Sequence, residues 1–276
     1  MRKTAVLIGA GDRGNIYSNY ALKHPEKLQI VGVAEPSEKR RKQVVSLHQI
    51  DKKGIFQSYQ DFFKATFKAD AVIIATQDTM HVEPAMLAFE KGYHVLLEKP
   101  MALTEEDCKR IVSSAGSSGT ILNVCHVLRY TGFFKKIKQI IDQGIIGEIY
   151  SIYHAENVSY HHMAHSFVRG NWGNSQQSSP MILAKCCHDM DLIQWLAGSR
   201  PQKISSFGTL SHFKKENAPK HAPIRCTDGC DDASTCQYNA VDCYLHGRHI
   251  KNALAKSDST LVSNAAKLML QFPRLS

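Results

Sequence analysis

The hydrophobic positions of the first 125 residues fall into short runs separated by amphipathic stretches. Residues 4–8, 28–34, 70–75, 94–98 and 121–125 are each short and rich in Val, Ile, Leu and Ala. That composition suits strands buried on both faces of a parallel sheet. Helical periodicity fills the gaps, over residues 13–23, 37–48, 59–66, 81–91 and 104–118. The last stretch opens on Thr104-Glu105-Glu106-Asp107, a capping box with Asp in the place of the usual Glu. Strand and helix taken in turn predict a doubly wound α/β domain over residues 1–127.

The pattern changes after residue 127. A helix at 133–143 leads through Gly144 and Gly147 to a longer strand at 148–157. A polar stretch rich in His, Asn and Ser follows at 158–179, then a helix at 181–196 and a strand at 203–211. Residues 128–276 therefore read as an α+β second domain. No repeat, low-complexity tract or Gly/Ser linker separates the two.

Composition narrows the class. In 276 residues, 34 Lys and Arg face 25 Asp and Glu, a formal charge of +9, with 43% hydrophobic and 21% charged positions. Those are globular values, and no apolar run nears the ~18 residues of a membrane helix. The start, Met1-Arg2-Lys3, resembles a signal peptide, but Gly9, Gly11, Asp12 and Arg13 end the apolar run too soon. The expectation is a soluble cytoplasmic protein. Its basic residues sit in short groups such as Lys39-Arg40-Arg41-Lys42 and Lys135-Lys136, without a basic arm or interleaved aromatics. Nucleic acid is therefore not an expected partner; a solvated surface or attraction for an anionic ligand suffices.

The first candidate chemistry is Gly9-Ala10-Gly11-Asp12-Arg13-Gly14, a G-x-G-x-x-G turn between the first strand and first helix. Gly9 suits the tight turn, Gly11 the approach of a pyrophosphate, and Gly14 close helix–strand packing. The helix N-terminus presents N–H groups to phosphate. Glu35 ends the second strand, where an acid hydrogen-bonds the adenosine ribose hydroxyls. Glu35 favours NAD. NADP stays open through Ser37, Arg40 and Arg41, which could hold a 2′-phosphate.

Three further segments turn this into a family resemblance. They are Ala75-Thr76-Gln77-Asp78-Thr79-Met80-His81, Glu98-Lys99-Pro100, and His188-Asp189-Met190-Asp191-Leu192 ahead of Trp195-Leu196-Ala197-Gly198. With the glycine turn they resemble the Gfo/Idh/MocA oxidoreductase family, the group of glucose-fructose oxidoreductase and inositol dehydrogenase. The resemblance runs from about residue 4 to about residue 245. It implies a Rossmann domain, then a domain on an open, mostly antiparallel sheet that often makes a homo-oligomer interface. It also implies oxidation of a sugar or cyclitol carbinol with NAD(P). Position by position, it puts Thr76 and His81 beside the pyrophosphate and ribose, and Glu98 and Lys99 at the nicotinamide edge. It puts His126, Arg129 and Tyr130 at the pocket mouth, and gives His188 the part of general base or substrate ligand. Many relatives carry Asp four residues before that histidine; here the position is Ala184, followed by Lys185. Relatives also usually continue well beyond this length, so the resemblance implies a shortened or alternatively ended chain with an incomplete second domain.

On their own chemistry, Lys99, Lys185 and His188 form the expected catalytic set. A histidine suits proton exchange near neutral pH, and a lysine steadies a developing alkoxide. Residues 185 and 188 are three apart and share a helix face. Arg169 and Trp172 lie in a stretch that serves either as a pocket loop, binding a carboxylate or stacking on a sugar, or as plain surface. His161, His162 and His165 lack a strong zinc pattern. Cys226, Cys230, Cys236 and Cys243 match no standard finger or ferredoxin spacing, and a metal site, thiols and disulfides all stay open. Cys108, Cys125, Cys186 and Cys187 read as buried thiols.

The leading expectation is an NAD(P)-dependent oxidoreductase acting on a sugar- or cyclitol-like alcohol. Two alternatives remain: a glycosidase that uses bound NAD as a transient oxidant, and a nucleotide-binding or regulatory protein with an impaired substrate domain.

Overall fold

The computed structural model describes residues 1–246. Residues 261–270, whose sequence predicts a weakly amphipathic helix, lie outside them. The described residues form two compact units, Met1–Val158 with Arg169–Gln202, and Ser159–Val168 with the described residues from Lys203 onward.

One six-stranded sheet organises the larger unit. Its strands are β1 (Lys3–Ile8), β2 (Leu28–Ala34), β3 (Ile55–Phe56), β4 (Ala71–Ile74), β5 (His94–Leu97) and β6 (Leu122–Val124). Between them run α1 (Asp12–Lys23), α2 (Glu38–His48), α3 (Tyr59–Lys64), α4 (Val82–Glu90) and α5 (Glu105–Ser118). All strands pair in parallel, in the order β3-β2-β1-β4-β5-β6. That order reverses at β1 and β4, and such a switch opens a crevice at the strands' carboxyl ends. β3 was not among the expected strands; two residues are too few to leave a periodic signal.

Both sheet faces are buried. Alternation along β1 sends Ala5 and Leu7 to one face, where they pack with Ile30, Val33 and Val44. It sends Val6 and Ile8 to the other, against Phe62, Val72 and Leu97. Each such aliphatic side chain stabilises the fold by roughly 1.5–3 kcal/mol. Polar residues set the helix ends: Ser37 Oγ accepts from the Arg40 N–H, and Thr104 Oγ1 from the Asp107 N–H at 3.1 Å. The Thr104 hydroxyl in turn donates to the Asp107 carboxylate at 2.9 Å.

Beyond β6 the outcome differs from expectation. Helix α6 (Gly132–Asp142) forms, with no buried residue. The smaller unit contains α7 (Tyr160–His162), a single turn running into a π-helical stretch, Met163–Val168. The long helix α8 (Met181–Ala197) ends on Gly198 in the left-handed region at φ +65°. The strands expected at 148–157 and 203–211 do not form. Both stretches carry no regular structure, and Tyr150, Tyr153 and Phe207 stand almost fully exposed. A strand persists only where its N–H and C=O groups meet a ladder partner. Neither stretch meets one among the described residues, so no second sheet appears there.

Candidate active site

The glycine turn sits at the carboxyl end of β1. Gly9 holds φ +88°, and a Cβ there would stand 2.6 Å from the Ala75 carbonyl oxygen. A Cβ on Gly14 would stand 2.1 Å from the Gly9 oxygen. Gly11, at the N-terminus of α1, is different: a Cβ there would meet nothing within 4 Å. Two glycines are thus demanded by packing, and the third leaves space in front of a helix N-terminus. That space, with Asp12 and Arg13 opening the helix, fits the pyrophosphate of a dinucleotide.

Glu35 is only 4% exposed. Its Oε2 accepts from the Ala10 N–H at 2.7 Å and its Oε1 from the Ser37 N–H at 2.9 Å. The carboxylate therefore ties the glycine turn to the start of α2. A carboxylate has roughly four acceptor positions, and these two bonds use two of them. Arg41 donates to the main-chain oxygens of Glu35, at 2.5 Å, and Pro36, at 3.2 Å. Arg40 is half-buried on the first turn of α2.

The loop after β4 carries Thr76, Asp78 and His81. Thr76 Oγ1 donates to the Met80 oxygen at 3.0 Å. His81 is wholly buried, with Nδ1 2.8 Å from the Pro100 oxygen and Nε2 3.3 Å from the Thr76 oxygen. Its ring thus shapes the Thr76 loop from behind, and the contact with ribose expected of it has no exposed atom to make it. Asp78 takes two hydrogen bonds on Oδ2, from the Trp172 indole N–H at 2.7 Å and from the Ser179 hydroxyl.

At the end of β5, Glu98 accepts from the Tyr17 hydroxyl at 2.5 Å and lies 3.9 Å from Arg13 Nε. Burial, then this carboxylate, holds the Tyr17 phenol protonated far above its ordinary range. The same two causes push the neighbouring Cys125 thiol up to about 12. The Lys99–Pro100 bond is cis. Lys99 Nζ donates to the Ala184 oxygen of α8 at 2.8 Å, one turn ahead of His188. Burial lowers His188 to about 4, with the positive charge of Lys99 next in effect and His126 and Arg13 adding to it. The His126 and His188 rings meet edge to face, centroids 5.8 Å apart. Each keeps a buried Nδ1 with no hydrogen-bond partner among the described residues.

Other expected site residues are engaged elsewhere. Lys185 lies 3.7 Å from Glu156. Arg129 makes a bidentate pair with Asp191, both bonds 2.6 Å, and lies over the Trp195 ring. Tyr130 is exposed, and Arg169 is half-buried. Tyr17, Asp78, Ser179 and Asp191 were not foreseen. Tyr17 reads as an ordinary helix position, whereas Asp78 and Asp191 stand inside the very segments that carry the resemblance. Cys226, Cys230 and Cys236 are half-buried and Cys243 buried. Among the described residues no three His, Cys, Asp or Glu side chains gather as a metal would require.

A doubly wound sheet with this glycine turn at its switch point defines a dinucleotide-binding α/β protein. The model of the oxidoreductase family with an NAD-binding Rossmann fold matches residues 3–126, and that of the GFO/IDH/MocA C-terminal domain matches residues 134–240. The chain belongs to the Gfo/Idh/MocA oxidoreductase family. It is 31% identical to YteT of Bacillus subtilis over 177 residues, covering 62% of this chain and 40% of that one. It is 30% identical to the 2,7-anhydro-N-acetylneuraminate hydratase of Escherichia coli over 144 residues, 52% of this chain and 38% of that one. The chain thus spans about two fifths of the length of these curated relatives. Among solved structures, myo-inositol 2-dehydrogenase from Lactobacillus plantarum superposes with a TM-score of 0.63 at 22% identity, covering 72% of this chain and 57% of that one. Among the described residues no helix is long and apolar enough to cross a membrane.

Proposed function

We propose that this chain binds NAD and oxidises a carbinol of a sugar- or cyclitol-like substrate. The observation that carries the reading is the bond from Lys99 at the sheet's carboxyl edge to Ala184, one turn ahead of His188 on α8, with the buried His188 Nδ1 unpartnered among the described residues. The glycine turn, Glu35 and Thr76 would hold the pyrophosphate and ribose, and Glu98 would reach the nicotinamide edge. A bound nicotinamide supplies the hydride acceptor. His188, neutral at pH 7 because its pKa is lowered to about 4, offers a lone pair to the substrate hydroxyl and takes its proton. The Lys99 ammonium steadies the oxygen as negative charge develops, a task that preorganised charge performs without reorientation. Lys185, paired with Glu156, lies on the same helix face for a second oxygen of the substrate.

The family's NAD-binding Rossmann fold and the likeness to an inositol dehydrogenase support this reading. The test is a screen of sugars and cyclitols that follows NADH absorbance with the purified chain. Steady NADH formation on at least one polyol is expected, and none on any polyol would overturn the proposal. Turnover with a tightly retained dinucleotide and no net NADH would assign the transient-oxidation chemistry instead.

A further inference from the structure

Asp78 and Ser179 are both buried polar residues of the larger unit, at 8% and 0% exposure. Their contact has no place in the chemistry above. One oxygen, Asp78 Oδ2, accepts from both the Ser179 hydroxyl and the Trp172 indole N–H. Asp78 stands in the loop that carries Thr76, whose chain is fixed from behind by His81. Trp172 stands in the stretch that reads either as a pocket loop or as plain surface, and its bond to Asp78 favours the first. Ser179 directly precedes Pro180, the N-cap of α8, and α8 carries Lys185 and His188. The start of α8 is therefore tied to the sheet's carboxyl edge at two points: through Asp78 to the loop after β4, and through Lys99 and the Ala184 oxygen to the end of β5.

We propose that Asp78 is a positioning residue: its carboxylate latches Trp172 and the start of α8 to the dinucleotide loop, so that the substrate-facing groups stand in register with the bound cofactor. With its N–H held by Asp78, the Trp172 indole has a fixed ring plane, which is what stacking on the C–H face of a sugar or cyclitol needs. A charge-assisted acceptor shared by two donors holds both more firmly than neutral bonds would. The kinetic part of this inference rests on the proposed carbinol oxidation; the latch itself does not.

The experiment uses the two-tryptophan composition of the chain. In a Trp195→Phe background Trp172 is the sole indole, and iodide quenching of its fluorescence reports its shielding. Asp78→Ala is expected to raise quenching severalfold and shift emission to the red, whereas Asp78→Asn, which keeps an acceptor oxygen, restores most of the shielding. The NADH dissociation constant should change by less than about threefold, a small increment of binding energy. On the polyol found in the screen, kcat/KM should fall about 10²-fold in Asp78→Ala, the scale for displaced positioning groups, and recover in Asp78→Asn. Should Asp78→Ala not fold, Ser179→Ala and Trp172→Phe each remove one donor and should lower kcat/KM in the same direction. Wild-type quenching in Asp78→Ala, or equal damage in Asp78→Ala and Asp78→Asn, would overturn the latch. If no polyol is turned over, the proposed function fails and quenching alone decides the latch.

Discussion

Lys99 leaves the end of β5 and donates its ammonium to the main-chain oxygen of Ala184, 2.8 Å away on α8. Many family relatives are expected to offer an aspartate at that position. Here a backbone carbonyl takes the lysine, one turn ahead of His188. Burial first, and the lysine's charge after it, depress the His188 pKa.

Lys99→Met should therefore act twice. Turnover should fall about 10²–10³-fold, the range for removing one preorganised donor to a developing oxyanion. The His188 pKa, about 4 in the native protein, should rise toward its ordinary 6.5. An NMR titration of the His188 ring checks this; an unmoved titration would remove the lysine's charge from the account.

His188→Ala should reduce turnover about 10²–10⁴-fold, as for loss of a general acid–base group, and leave NADH affinity intact. Its pH signature concerns stability. The folded ring titrates at about 4, below the ordinary value, so the unfolded chain binds its proton first as pH falls. Thermal stability should decline from about pH 6.5 down to about 4, and a His188→Gln variant should show a shallower decline over that window.

Glu35→Ala should weaken NAD more than NADP, measured by calorimetry, because the lost carboxylate repels a 2′-phosphate. It should also lower the unfolding temperature. The Ala10 N–H loses its partner, and a buried donor left unsatisfied costs about 1–3 kcal/mol.

Two glycines of one motif should fail in different ways. Gly14→Ala drives a Cβ to 2.1 Å from the Gly9 oxygen, and its overpacking should cost about 1–3 kcal/mol or more in thermal unfolding. Gly11→Val meets no neighbour and keeps an ordinary φ of −75°, so its unfolding temperature should hold while dinucleotide binding is lost. A Gly11→Val protein that binds NADH normally would show that the pyrophosphate does not lie where this turn leaves space.

Much of the larger unit was legible because its signals are local. The runs at 28–34 and 94–98 became β2 and β5 almost residue for residue, since a strand buried on both faces must be apolar throughout. The glycine turn was legible because Gly9 and Gly14 exclude a side chain by packing, while Gly11 leaves open space in front of a helix N-terminus. The stretches 148–157 and 203–211 misled because apolar, extended sequence specifies a strand only jointly with a partner. His81 misled for another reason: a histidine that holds a loop from inside the core carries the same letter as one that touches a ligand.

The sequence by itself determined most strands and helices of the parallel sheet, the dinucleotide turn and the residue types available for proton and charge work. These follow from periodicity and from steric rules that act within a few residues. Only the tertiary structure decided which of those residues meet. It brought Lys99 to Ala184 across 85 positions and Asp78 to Trp172 across 94. It also directed Lys185 to Glu156 and Arg129 to Asp191. Such pairings depend on how the loops after β4 and β5 face α8 once the sheet has closed. No pattern confined to either segment encodes that distance.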